Sequence, residues 1–203
     1  MTKKTGISRK RININPFIQF DKWYKEHVTS GLAIPESVNL GTAYSSGRVS
    51  VRTVLLKGYD DNGFVFYTNY NSKKGLQLIS NQRAALLFYW AESGRQVRIE
   101  GLVEKVSDAE SELYFRTRPR ESQLSAWASE QSSVIPDRQH LEKLYELHKK
   151  RFLNKPVDKP PYWGGFRVVP DWFEFWQDGE FRLHDRFSYT LKKDTWLIER
   201  LAP

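Results

Sequence analysis

The spacing of hydrophobic positions divides the chain into a helical start, a long stretch of period two, a helical block and a second stretch of period two. Asn15-Pro16 reads as an N-cap followed by proline at the first helical position. Phe17, Phe20, Trp23, Tyr24 and His27 then recur at helical spacing, so one face is buried, and Gly31 supplies a C-terminal stop.

From Val38 the alternation changes. Val38–Tyr44, Arg48–Lys57 and Phe64–Asn69 read as strands, separated by turns at Ser45-Ser46-Gly47 and Asp60-Asp61-Asn62-Gly63. Connections this short indicate antiparallel hairpins rather than βαβ crossovers. Ser72 caps a short helix reaching about Ser80. Ala84–Trp90 is apolar throughout and is expected to be buried on both faces. In Arg95–Val106, Val97, Ile99, Gly101 and Val103 face one way, and Gln96, Arg98, Glu100 and Glu104 the other.

The helical block opens with a capping-box pattern, Ser107-Asp108-Ala109-Glu110, leading to Tyr114 and Phe115. Pro119 opens a second helix ending near Ser129. A third runs from about Pro136 to Phe152 with Leu141, Leu144, Leu147 and Phe152 as its stripe. The proline-rich segment 154–161 is a loop. Gly165–Val169, Trp172–Gln177, Phe181–Tyr189 and Thr195–Leu201 return to strand, with Asp178-Gly179 as a hairpin turn. The expected fold is mainly β (α+β): an antiparallel closed or split β-barrel of about eight strands with helices inserted at its periphery.

Length allows one domain with a real core; 203 residues are read as a basic, flexible arm over 1–14 and a single domain over 15–203. Cysteine is absent, which excludes disulfides and thiolate chemistry, and the four histidines show no metal-ligand spacing, so no metal site is expected. The longest apolar run, Ala84–Trp90, is far short of the ~20 residues of a membrane helix, and no secretory signal is visible; the chain is expected to be soluble and cytosolic. Of the net charge of +8, five positive charges (Lys3, Lys4, Arg9, Lys10, Arg11) lie in the first 11 residues. They read either as a polyanion contact or as a solvated tail. Aromatic residues make up 14%, enough to fill a core, an interface or a flat-ligand site.

Three segments concentrate chemistry. In Arg182-Leu183-His184-Asp185-Arg186, strand geometry would place Arg182, His184 and Arg186 on one face, about 7 Å apart in succession. Such crowding of potential cations suits an anionic or electron-rich ligand, or else a solvated face balanced by Glu180 and Asp185. In Arg118-Pro119-Arg120-Glu121-Ser122, a helix start beside Arg118 suits a phosphate, or is plain capping. In Arg52–Lys57, strict alternation puts the two basic residues on opposite faces, so one site could use both only if the strand bends or bulges. Lys73-Lys74 before a helix is an anion site or a solvated pair. Together these describe a basic, aromatic-rich barrel that binds a phosphorylated planar ligand.

Taken in order, RTVLLK (52–57), FYTN (66–69), RPRESQ (118–123), ASEQSS (128–133), YWGGFRV (162–168), EFWQ (174–177), RLHDR (182–186) and ERLAP (199–203) resemble the pyridoxine/pyridoxamine 5′-phosphate oxidase family from about Asn15 to the C-terminus. The resemblance implies an FMN-binding split barrel, a homodimer with the flavin at the subunit interface, and oxidation of a phosphorylated B6 vitamer to pyridoxal 5′-phosphate, with dioxygen as acceptor and hydrogen peroxide as product. It implies FMN contacts at Arg52, Lys57, Tyr67, Thr68, Lys73, Lys74, Gln96, Gln131, Ser132, Trp176 and Arg186, with Arg52 and Lys74 on the flavin phosphate. Lys57, Tyr114, Arg118 and Ser122 would hold the substrate phosphate. Arg182 and His184 would lie against the substrate ring as the catalytic pair: Arg182 on the pyridine face, His184 orienting the substrate and able to assist proton removal.

One departure is implied as well. Family members often carry an Arg-x-x-Tyr-like lid element in a longer N-terminal arm; Thr2 falls about where that tyrosine would be, so lid contacts are expected to differ. Two rival readings are another flavin split-barrel enzyme with a different substrate, such as a flavin reductase-like protein, and a basic nucleic-acid-binding barrel. The complete phosphate cluster disfavours the first. The placement of the basic excess in the tail disfavours the second, and no nucleic-acid or membrane partner is expected.

Overall fold

Asn15 starts the first helix as its sequence requires: its Oδ1 accepts the Phe17 N–H at 2.8 Å, and Pro16 occupies the first turn of α1 (Pro16–Val28). This is a computed structural model, and it describes residues 6–29, 31 and 34–203. Phe20 and Trp23 are buried, with Phe17, Tyr24 and His27 partly so.

Nine strands follow among the described residues, all antiparallel: β1 (Ser37–Ala43), β2 (Val49–Leu55), β3 (Gly58–Asp60), β4 (Gly63–Asn69), β5 (Arg83–Trp90), β6 (Arg95–Lys105), β7 (Trp163–Gln177), β8 (Asp185–Lys192) and β9 (Thr195–Leu201). They run in the order β2-β1-β5-β6-β7-β4-β3, with β8 and β9 added beside β7. The sheet curls into a split barrel around Phe20, Phe64, Phe88, Trp90, Phe173 and Phe175. Five α-helices among the described residues decorate it: α1, α2 (Lys73–Ser80), α3 (Asp108–Thr117), α4 (Arg120–Ala128) and α5 (Arg138–Arg151). Ser72 and Ser107 cap α2 and α3, each accepting a backbone N–H three residues on. None of the helices among the described residues is long and apolar enough to cross a membrane.

Four expectations are corrected. The two segments Gly165–Val169 and Trp172–Gln177 form one strand, β7. Pro170 is tolerated because the register to β6 shifts between Glu100 and Gly101, where no ladder N–H is needed. Gly101 is required there, since a Cβ would meet the Val169 carbonyl at 2.0 Å. β5 is buried on one face only: Ala84, Leu86, Phe88 and Trp90 point inward, whereas Tyr89 is 61% exposed. The second face, with Ala85 and Tyr89 exposed, meets no further layer among the described residues.

Of the arm expected over 1–14, the described part, from residue 6, is a packed segment. Ile7 and Ile12 are buried, a turn at Ser8 bringing both to the same side, and Tyr189 donates its hydroxyl to the Asn13 carbonyl at 2.6 Å. Arg9, Lys10 and Arg11 stay exposed. Thr2, Lys3 and Lys4 lie outside the described residues. Finally, β8 begins at Asp185, not Phe181. Residues 180–182 form a 3-10 turn in which Phe181 and Arg182 both adopt left-handed backbone (φ 56° and 63°).

A second, smaller core joins barrel and helices. Phe115, Leu124, Phe152, Val157 and Trp163 pack together, with Tyr67 and Tyr114 against them. The apolar stripe of α5 is only half covered, and Leu147 is exposed.

Candidate active site

Between that second core and the barrel mouth lies a cavity of about 710 Å³. β2 and the chain after it contribute Arg52 and Lys57, β4 Tyr67 and Thr68, α2 Lys74, α3 Tyr114, and α4 with its approach Arg118 and Ser122; Gln131 and Trp163 complete the wall. Arg52 and Lys57 reach one cavity because β2 ends at Leu55 and the chain turns before β3, which removes the strict alternation.

The cavity is electrostatically unfinished. Arg52 donates to the Leu40 carbonyl and to Gln77, and burial lowers its pKa. Lys74 donates to Thr68 Oγ1 (3.1 Å) and Gln131 Oε1 (3.0 Å). Burial, with Arg52 nearby, brings it down to about 8. Lys57 has one carboxylate partner, Glu36, at 3.3 Å. Arg118 lies over the rings of Trp163 (4.8 Å) and Phe115 (5.6 Å), and its Nη1 is buried without a hydrogen-bond partner among the described residues. A buried guanidinium N–H with no acceptor costs free energy that an anion would recover. α4 starts beside it with no side-chain cap, leaving its first N–H groups open toward Ser122.

Aromatic rings form the floor. Tyr67 stacks on Tyr114 (centroids 4.0 Å, 20°) and on Trp163 (5.4 Å, 10°). Gly165 permits this, since a Cβ there would lie 2.9 Å from the Tyr67 ring. Burial, with Glu110 and Tyr114 nearby, pushes the Tyr67 hydroxyl up to about 12, so it stays a neutral donor.

The remaining candidates lie elsewhere. Gln96, Trp176 and Arg186 sit directly opposite one another across β6, β7 and β8 on the outer face of the sheet. His184 packs on Trp176 (4.6 Å). Its Nδ1 accepts the Gly179 N–H at 3.2 Å and lies at the same distance from Asp178 Oδ1. Arg182 is exposed and does not share a strand face with His184 and Arg186, because the 3-10 turn interrupts the alternation. Lys73 and Ser132 are exposed and do not line the cavity. Within one chain most of the expected site residues thus form two groups, one in the cavity and one on the outer face, while Arg182, Lys73 and Ser132 belong to neither.

Comparison with known proteins decides the family. Residues 24–146 match the model described as pyridoxamine 5′-phosphate oxidase, and residues 163–203 that described as the pyridoxine 5′-phosphate oxidase C-terminal dimerisation region. The chain belongs to the pyridoxamine 5′-phosphate oxidase family. It is 52% identical over 199 residues to the pyridoxine/pyridoxamine 5′-phosphate oxidase of Rippkaea orientalis (98% of this chain, 94% of that one). It is 50% identical over 199 residues to that of Cupriavidus taiwanensis (98% and 93%). Membership in this oxidase family makes the chain an enzyme.

Among solved structures, PhzG from Burkholderia lata in complex with tetrahydrophenazine-1-carboxylic acid superposes with a TM-score of 0.90 at 28% identity (96% of this chain, 95% of that one). A pyridoxamine 5′-phosphate oxidase-related, FMN-binding protein from Nostoc punctiforme gives 0.73 at 18% (95% and 100%), a likeness of fold. Both oxidase family and split barrel are therefore as the sequence resemblance implied.

Sequence reasoning overlooked two residues of this oxidase. Trp163 carries both Arg118 and Tyr67, and Glu174 is bonded to Arg186. The one available signal for Trp163 was its position before Gly164-Gly165, where small residues admit neighbouring rings.

Proposed function

We propose that this chain is an FMN-dependent oxidase that converts pyridoxine 5′-phosphate or pyridoxamine 5′-phosphate to pyridoxal 5′-phosphate, using dioxygen and releasing hydrogen peroxide. The carrying observation is the cavity itself, which gathers Arg52, Lys57, Lys74 and Arg118 around a stacked aromatic floor. That donor set fits two phosphates. Arg52, Lys74, Thr68 and Gln131 would hold the phosphate of FMN. Lys57, Tyr114, Arg118 and Ser122 would hold that of the vitamer, the orphaned Arg118 Nη1 finding its acceptor there. Bound FMN supplies the redox capacity, two electrons taken from the substrate C4′ and passed on to dioxygen.

The protein's part is positioning. Anchoring the vitamer by its phosphate fixes where C4′ lies, and fixed geometry lowers the barrier by pre-paid entropy. Arg182 would lie on the pyridine ring, and His184 would orient the substrate by a hydrogen bond.

The second group of site residues would be brought to the cavity by a second copy of the chain. The outer face that bears Gln96, Trp176 and Arg186 also exposes Val49, Val51 (73%) and Tyr89, apolar groups that a homodimer would cover. Lys73 and Ser132, which lie in neither group, are assigned to FMN by their match to the family's motifs alone.

An aerobic assay with each phosphorylated vitamer, following aldehyde and peroxide, tests the reading. Yellow protein that produces neither from both substrates would leave only the fold. The solved PhzG complex, with tetrahydrophenazine-1-carboxylic acid, makes an unphosphorylated ring ligand the rival reading; Lys57, Arg118 and Ser122 would then have no phosphate to bind.

A further inference from the structure

Glu174 sits midway along β7 with its side chain 2% exposed, and each oxygen takes one arginine. Oε1 accepts from Arg186 Nε at 2.6 Å, and Oε2 from Arg98 Nη1 at 3.1 Å. Arg98 also donates to Glu100 at 2.7 Å and lies over the Trp172 ring at 5.0 Å. Arg186 makes a second bond, from Nη1 to the Ala202 carbonyl at 2.8 Å. A carboxylate this far from water costs several kcal/mol to bury, and apolar residues of similar volume commonly stabilise such a position at least as well. Stability alone is therefore a weak account of the group.

Strand register offers a better one. Gln96, Trp176 and Arg186 form one row across β6, β7 and β8, and Arg98 with Glu174 form the next row, two residues along and on the same face. Two bonds, at Nε and Nη1, fix the plane of a guanidinium. With those two engaged, the Nη2 side of Arg186 is the edge left to a ligand.

We propose that Glu174 is a positioning residue of the coenzyme site: its carboxylate holds the plane of Arg186 so that the remaining guanidinium N–H groups are presented to FMN. The proposal rests on Arg186 being a coenzyme contact.

The test compares holoenzymes of the wild type, Glu174→Gln, Arg186→Met and the double variant. The FMN dissociation constant is read from flavin fluorescence on dilution, and the midpoint potential of the bound flavin is measured alongside. Glutamine keeps the shape but loses the charge, and its amide turns a donor toward one arginine. Each single variant is expected to weaken FMN binding about ten-fold, equivalent to about 1.4 kcal/mol, and to move the potential in the same direction. The double variant should bind no more weakly than Arg186→Met alone. Additive losses, about a hundred-fold in the double variant, would overturn the proposal. An Arg186→Met enzyme with unchanged affinity and potential would instead remove Arg186 from the coenzyme site. If Glu174→Gln does not fold, Glu174→Asp takes its place, since it keeps the charge but withdraws the carboxylate by one methylene. Unchanged FMN affinity in that variant, or failure of both to fold, would assign Glu174 to the scaffold alone and overturn the proposal.

Discussion

Replacing Arg118 by methionine should separate ligand binding from stability. The guanidinium is half-buried between the Trp163 and Phe115 rings, burial holds its pKa below the usual value, and its Nη1 has no partner. An unsatisfied buried donor costs about 1–3 kcal/mol. The two ring contacts return about 0.5–2 kcal/mol, and a methionine side chain keeps most of the apolar packing. The terms nearly cancel, so without vitamer Arg118→Met should melt within about 4 °C of the wild type, taking ~2–4 °C per kcal/mol for a chain of this size. With ligand the balance changes. Losing a charge-assisted hydrogen bond of about 1.5–3 kcal/mol should raise the dissociation constant for pyridoxal 5′-phosphate about 10- to 150-fold. Thermal melts with and without pyridoxal 5′-phosphate measure both quantities, and KM for pyridoxine 5′-phosphate checks the second. A variant that melts more than about 8 °C lower without ligand, yet keeps its KM, would show that Arg118 serves the core and that the missing partner is irrelevant.

Other outcomes are equally definite. Lys74 titrates near 8 when folded and near 10.5 when not, so the unfolded chain binds more protons between those values, and this group makes stability rise with pH across that window. Urea unfolding of flavin-free wild type should show a slope that Lys74→Met lacks. FMN affinity should fall over the same range as the ammonium is lost, and an identical pH profile in Lys74→Met would contradict the assignment. Trp163→Ala removes the ring beneath Arg118 and Tyr67 and should cost about 3–5 kcal/mol of stability; Trp163→Phe should keep most of it while raising KM, as denaturation and steady-state kinetics will show. Tyr189→Phe deletes the hydrogen bond to the Asn13 carbonyl, worth about 1 kcal/mol. It should speed tryptic cleavage at Arg9, Lys10 and Arg11, and unchanged cleavage would mean that Ile7 and Ile12 alone hold the segment.

How far the chain could be read in advance depended on how local each feature is. Asn15, Ser72 and Ser107 cap helices through bonds spanning two or three residues, so their patterns were sufficient. The inward row of β6 was readable because alternation is a property of the strand itself. The family's site residues were legible as motifs, but their arrangement was not. Arg52 and Lys57 share a cavity only because β2 stops short, and Arg182 leaves the strand face only because a loop closed by Gly179 and His184 holds residues 181 and 182 in left-handed backbone.

By itself, then, the sequence determined most of the helices and strands, the antiparallel hairpins and the inventory of cationic and aromatic groups. These follow from side-chain periodicity and capping within a few residues. Only the tertiary structure decided that β7 is one strand bent at a bulge and that Ile7 and Ile12 pin the start of the chain. It likewise decided that Trp163 supports Arg118 and that Glu174 is shared by two arginines. Each of those contacts joins residues far apart in the chain, and their free energy depends on distances that exist only once the sheet has closed.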